Sequence, residues 1–221
     1  MPISYQYKNI FLHIPKCGGT SIEKVLGTAT IEEFFSFKKV STHKEFFISP
    51  EKFSADDFSL CMSKTPQHFT FMELKKSIPP ETFDSYLKFS VIRNPYTRFV
   101  SEYNHIKGKI KLVNTFEDLI KCLQMDRKDR IKIFDGHLET QTSFLINAEN
   151  KIDSNIKIFR FENIQECFDL LHQLTPIKVV PHARKNKEER PWQSYFTDDT
   201  KSIVSEFYAE DFINFGYDAN F

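Results

Sequence analysis

The chain has 221 residues, enough for one core that outweighs the entropy of ordering it and too few for two independent enzymatic domains. Lysine plus arginine and aspartate plus glutamate balance at 30 each, so no global field draws the chain to nucleic acid and any anion site must be a local arrangement. Cys17, Cys61, Cys122 and Cys167 form no C-x-x-C pair, no apolar run reaches the roughly 20 residues of a membrane span, and no signal-peptide core precedes Lys8, so a cytoplasmic protein with reduced thiols is expected.

Asn9 to Ile14 is a short apolar run closed by a Pro-Lys-Cys-Gly-Gly turn, the pattern of a buried parallel strand. Thr20 to Leu26 then carries a hydroxyl N-cap, apolar Ile22, Val25 and Leu26, and Gly27 as a stop, which predicts strand, glycine turn, helix. Residues 28–67 alternate phenylalanines with lysines and acids around Pro50 and Pro66, and no element is assigned there. His68 to Ser77 reads as a helix ended by Pro79 and Pro80, and Leu87 to Ile92 as a second strand. A proline-started amphipathic helix follows, with Phe99, Val100, Tyr103 and Ile106 on one face. Thr115 caps a helix to about Met125, and Gln141 to Ile146 is a short one. Ile156 to Phe161 is a third strand feeding a helix from about Asn163 to Leu174, and Asp198 and Asp199 open the last long helix. Strands alternating with helices predict a single α/β domain over 1–221 with a mainly parallel central sheet flanked by helices.

In such folds ligands bind at the carboxyl ends of the strands, where helix N-termini collect. The turn from Pro15 to Ser21 falls there. Backbone N–H groups around Gly18 and Gly19 can approach a phosphate because no Cβ intrudes, Thr20 and Ser21 add hydroxyl donors, and Lys16 supplies a positive charge. A glycine turn by itself also ends strands for steric reasons alone. The lysine here precedes the glycines, unlike the Walker A order G-x-x-x-x-G-K-[ST], which weighs against the alternative of a P-loop-like kinase using ATP and magnesium.

The segment from His13 to Ser21, HIPKCGGTS, resembles the 5′-phosphosulfate loop of sulfotransferases that use 3′-phosphoadenosine 5′-phosphosulfate (PAPS), particularly the carbohydrate group related to heparan sulfate 2-O-sulfotransferases and their bacterial relatives, sulfotransferase family 2. Phe89 to Tyr103, FSVIRNPYTRFVSEY, resembles the strand and helix that hold the donor's 3′-phosphate. The likeness continues through Gln67 to Thr70, Asp135 to Leu138 with Gln141, Ile158 to Asn163, and the C-terminal Tyr208 to Phe212 with Phe215 to Tyr217.

The resemblance implies a P-loop-like sulfotransferase fold, a PAPS co-substrate leaving as adenosine 3′,5′-bisphosphate, and no metal. It implies a hydroxyl-bearing acceptor, with carbohydrate the class it favours. Lys16 then neutralises the leaving phosphate, with Gly18, Gly19, Thr20 and Ser21 as surrounding donors. Arg93 and Ser101 match the 3′-phosphate ligands, and Arg184 with Lys185 resembles, loosely, a late basic loop over the same phosphate. His68 matches the catalytic histidine that would take the acceptor's proton, and His137 with Gln141 lies in a segment on the acceptor side. Among the other histidines, His13 is expected to be a core residue, and His43, His105, His172 and His182 have no assigned part. The histidines show no ligand spacing in sequence, so no metal is expected. Cys17 is expected to be a packed thiol turned from the chemistry, and Glu162 a cap for the helix after the third strand.

Overall fold

The structure is a computed structural model that describes residues 3–26, 50–176 and 190–221. Its four strands are Ile3–Ser4 (β1), Asn9–Leu12 (β2), Leu87–Ile92 (β3) and Ile156–Arg160 (β4). They form one sheet in the order β1-β2-β3-β4, with β1 antiparallel to β2 and the other two pairings parallel. Every residue of β2 is buried, as are Lys88 to Ile92 of β3, which is why these segments read as continuous runs rather than alternating ones. Phe11 lies opposite Phe89 in register, with ring centroids 5.1 Å apart, and the Ser90 hydroxyl donates across to the Leu12 carbonyl at 2.7 Å.

The helices that set the site are Gly19–Leu26 (α1), Ala55–Met62 (α2), Phe71–Ser77 (α3), Pro80–Ser85 (α4), Pro95–Ile106 (α5), Phe116–Cys122 (α6), Arg127–Phe134 (α7), Gln141–Leu145 (α8), Gln165–Leu174 (α9), Asp198–Phe207 (α10) and Ala209–Phe215 (α11). Each parallel strand turns directly into a helix: β2 into α1, β3 into α5, β4 through a 3-10 turn into α9. Three strand ends and three helix N-termini therefore meet at one edge. One apolar cluster packs α1, α3 and α9 on the sheet, and a second, around Tyr96, Phe99, Phe116 and Tyr208, joins α5, α6 and α10.

The expected α/β architecture is what the chain adopts, with differences in its elements. The helix expected from His68 begins at Phe71, because Thr70 accepts from the Glu73 N–H at 3.3 Å while Glu73 accepts from the Thr70 N–H at 2.7 Å, a capping box that starts the helix there. His68 is left in the preceding 3-10 turn, Pro66–His68. The C-terminal helix is two, broken at Tyr208, whose buried hydroxyl donates to Leu138 O at 2.9 Å. Pro80, read as a stop, also opens α4 as its first residue, where a missing N–H costs nothing. Glu162 does not cap α9; it accepts from the Asn94 N–H at 2.7 Å and the Tyr217 hydroxyl at 2.9 Å, tying the β3 turn to the C-terminal segment. The Gly27 stop lies outside the described residues.

Candidate active site

The turn after β2 has an unusual backbone. Lys16 at φ 68° and Gly18 at φ 86° both occupy the left-handed region, which for a lysine costs roughly 1–2 kcal/mol and has to be held by its surroundings. The holder is Arg93, whose Nη1 donates to Lys16 O at 3.2 Å, while its Nε donates to Thr97 Oγ1 at 3.0 Å and its guanidinium lies 4.3 Å over the Phe161 ring. Gly19 is set by close approach: a Cβ there would lie 2.2 Å from His13 Nε2. Ser21 N–H closes the first turn of α1 on Gly18 O at 3.2 Å, and that turn carries no acidic residue to oppose an anion. Ser101 is buried on α5 one turn beyond Thr97, on the helix face that Arg93 uses. The two motifs are thus joined by a direct Arg93–Lys16 contact.

Two residues with acceptor-side expectations part company. Gln141 is fully buried, and its amide closes on the main chain of Arg93: Oε1 accepts from Arg93 N–H at 2.8 Å and Nε2 donates to Arg93 O at 2.8 Å. The Cys17 thiol donates to the same Oε1 at 3.5 Å, and burial pushes that thiol up to about 12. Gln141 therefore fixes the end of β3, and Cys17 is a packed, un-ionised thiol. The His137 side chain keeps 17% of its surface exposed. Its Nδ1 is 2.9 Å from Glu102 Oε2, and its ring meets the His68 ring edge-on, centroids 4.7 Å apart.

His68 is buried, with Nδ1 2.8 Å from Asp135 Oδ2. Asp135 sits at φ 53° just past α7 and is itself fixed by Thr65, whose N–H donates to Oδ1 at 2.6 Å and whose hydroxyl donates to Oδ2 at 2.8 Å. Burial pulls His68 down to about 4 against the opposing hydrogen bond from Asp135, with His137 and His13 adding to the depression. Burial disfavours an ionised Asp135, yet the bonds from His68 and Thr65 hold its carboxyl below the usual range. Burial likewise opposes charge on Glu102, but His137 and Lys16 bring it to about 2. His105 is lowered to about 4, by burial first and then by the Lys16 ammonium. The Lys16 charge thus lowers both the Glu102 carboxyl and the His105 imidazole.

His13, also buried, donates through Nδ1 to Glu23 Oε1 at 3.0 Å, Gln67 Nε2 donates to Oε2 of the same carboxylate at 2.6 Å, and the His13 ring lies 5.4 Å from that of His68. Arg98 is the hidden brace: 2% exposed, it donates to Pro15 O at 3.1 Å, His137 O at 2.7 Å and Glu139 O at 3.0 Å, linking the anion turn to the segment bearing His137. Arg98, Glu102 and Asp135 were not assigned roles from sequence. Asp135 is 67 positions from its histidine, beyond any local spacing rule, whereas Arg98 and Glu102 could have been noted as charges on the apolar side of an amphipathic helix. Arg184, Lys185, His43 and His182 lie outside the described residues.

A mainly parallel α/β sheet thus carries two strand-to-helix turns joined through Arg93 and Lys16. The model of the Sulfotransferase family matches residues 2–218, so the chain belongs to that family and is a sulfotransferase, with PAPS the family's standard donor. This places the kinase alternative aside. Comparison with curated proteins finds no match, and comparison with solved structures finds none.

Proposed function

We propose that the protein transfers the sulfuryl group of PAPS to a hydroxyl of a carbohydrate, by in-line displacement with His68 as base. The observation that carries this reading is the buried His68–Asp135 pair, 2.8 Å apart, beside a lysine-bearing anion turn. Asp135 holds the Nδ1 proton of His68, which leaves the other ring nitrogen with its lone pair for the acceptor proton. Lys16 stabilises charge developing on the leaving phosphate, and Gly18, Gly19, Thr20 and Ser21 line it with backbone and hydroxyl donors. Arg93 and Ser101 take the 3′-phosphate, with Arg184 and Lys185 as further contacts. His137, steadied by Glu102, bounds the acceptor side.

The fit of a bisphosphorylated nucleotide rests on two features of this chain: Gly18 in the left-handed region and Arg93 reaching across to the Lys16 carbonyl. The carbohydrate class is supported by the resemblance of the segments around His13, His68 and Arg93 to carbohydrate 2-O-sulfotransferases. A cytoplasmic setting is supported by four buried free cysteines, and no helix among the described residues is long and apolar enough to cross a membrane.

The test is transfer of radiolabelled sulfate to an oligosaccharide panel. His68→Ala is expected to lower the rate about 10²–10⁴-fold, the usual worth of a positioned base, and Lys16→Ala about 10²–10³-fold, as for loss of one charge-stabilising donor. Near-full activity in either variant removes that residue from the mechanism, and transfer only to non-sugar alcohols removes the carbohydrate acceptor.

A further inference from the structure

The fold gathers three potential ligands that the sequence scatters: one donor atom each of His68, Asp135 and His137 lie within 4.8 Å of one another. We propose that this cluster is a binding site for a divalent cation of the zinc type, and that occupation of it blocks sulfuryl transfer. Two imidazoles and a carboxylate make a mixed nitrogen–oxygen donor set, suited to zinc and to first-row ions that favour imidazole, and poorly suited to calcium or magnesium.

The surroundings are those of oriented ligands rather than of loose side chains. The Nδ1 of His137 is held by the Glu102 carboxylate at 2.9 Å, which fixes the ring and leaves its other nitrogen as the donor. Asp135 is held through both oxygens by Thr65. Glu102 adds negative charge behind His137, and its Oε1 is buried with no hydrogen-bond partner among the described residues. Two carboxylates thus stand against the incoming cation's charge. The backbone that carries His137 is itself pinned by Arg98, so the histidine pair does not depend on a loose loop for its spacing.

The inhibitory consequence rests on the reading of His68 as base: a cation shared with Asp135 takes the Nδ1 of His68, the ring proton then sits on the other nitrogen, and that nitrogen is no longer open to the acceptor's proton. Binding itself does not rest on that reading, and the two are separable. The full chain, stripped with chelator, is titrated with zinc chloride by calorimetry and with cobalt(II) chloride by visible absorption, in the absence of any sulfate donor. One cation per chain is expected, with the intense bands of four- or five-coordinate cobalt, and His137→Ala, His137→Gln and Asp135→Asn are each expected to weaken binding at least about tenfold. Circular dichroism of each variant shows which remain folded, and the pair of His137 variants keeps the test open if one does not. Unchanged affinity in the folded His137 variants, or no stoichiometric binding by the wild type, overturns the site.

In the transfer assay, zinc is expected to inhibit over the same concentration range in which it binds, and chelator to restore the rate. Stoichiometric binding with undiminished transfer keeps the cation site and overturns both its inhibitory role and His68 as base. An absence of sulfate transfer under all conditions counts against the proposed function and leaves the calorimetric result readable.

Discussion

The backbone of the anion turn depends on residues that never meet the donor in the proposed reading. Gly19 packs against the edge of His13, and that ring cannot swing aside because Glu23 holds its Nδ1 and is itself held by the Gln67 amide. Gly19→Ala is therefore expected to be overpacked, costing about 1–3 kcal/mol, and to lose affinity for adenosine 3′,5′-bisphosphate because the turn shifts. Urea denaturation read alongside nucleotide titration checks it; a variant with the wild-type midpoint and affinity contradicts the packing argument. Sequence reasoning reached the need for glycine here through phosphate approach. The nearer constraint is a histidine ring, visible only once His13 and Gly19 are brought face to face.

At the scale of elements, α5 carries most of the site. From one helix come Arg98, which braces the turn after β2 and the His137 segment, Ser101 one turn beyond Thr97, and Glu102 on His137. Replacing Arg98 by methionine takes the donor from three buried carbonyls, and with charged hydrogen bonds worth about 1.5–3 kcal/mol each before relaxation, a net loss of roughly 3–5 kcal/mol is expected. Arg98→Lys, with its charge but without the planar fork, is expected to recover part of it. Chemical denaturation of the two variants measures the difference, and a loss below about 1 kcal/mol in Arg98→Met would show that the brace is dispensable. The amphipathic stripe of α5 was readable because apolar residues recur at helical spacing. Its buried charges were not, since their partners come from residues 15 and 137–139.

For the whole molecule, Arg93 joins the two strand-to-helix turns through Lys16, and in the proposed reading this favours a ligand with phosphates at both ends over one with a single polyphosphate tail. Adenosine 3′,5′-bisphosphate at 100 times its dissociation constant is expected to add about 2.7 kcal/mol to stability. At about 2–4 °C per kcal/mol for a chain of this size, that raises the melting temperature by roughly 5–10 °C. ATP with magnesium at equal concentration is expected to give a much smaller shift. Thermal-shift titration decides, and an equal response to both nucleotides would remove the preference for the bisphosphate.

Taken alone, the amino-acid sequence determined the α/β class, the three parallel strands and the two strand-to-helix turns that follow the first and second of them. Each is encoded locally, in a run of apolar residues, a glycine pair or a proline-started helix, whose physics acts over a few neighbouring positions. The tertiary structure alone decided which side chains face one another. It set Asp135 on His68 and Glu102 on His137, closed the Gln141 amide on the Arg93 backbone, and brought His68, Asp135 and His137 into one cluster. Those pairings depend on strand register and helix packing across tens of residues, where spacing along the chain carries no information about distance in space.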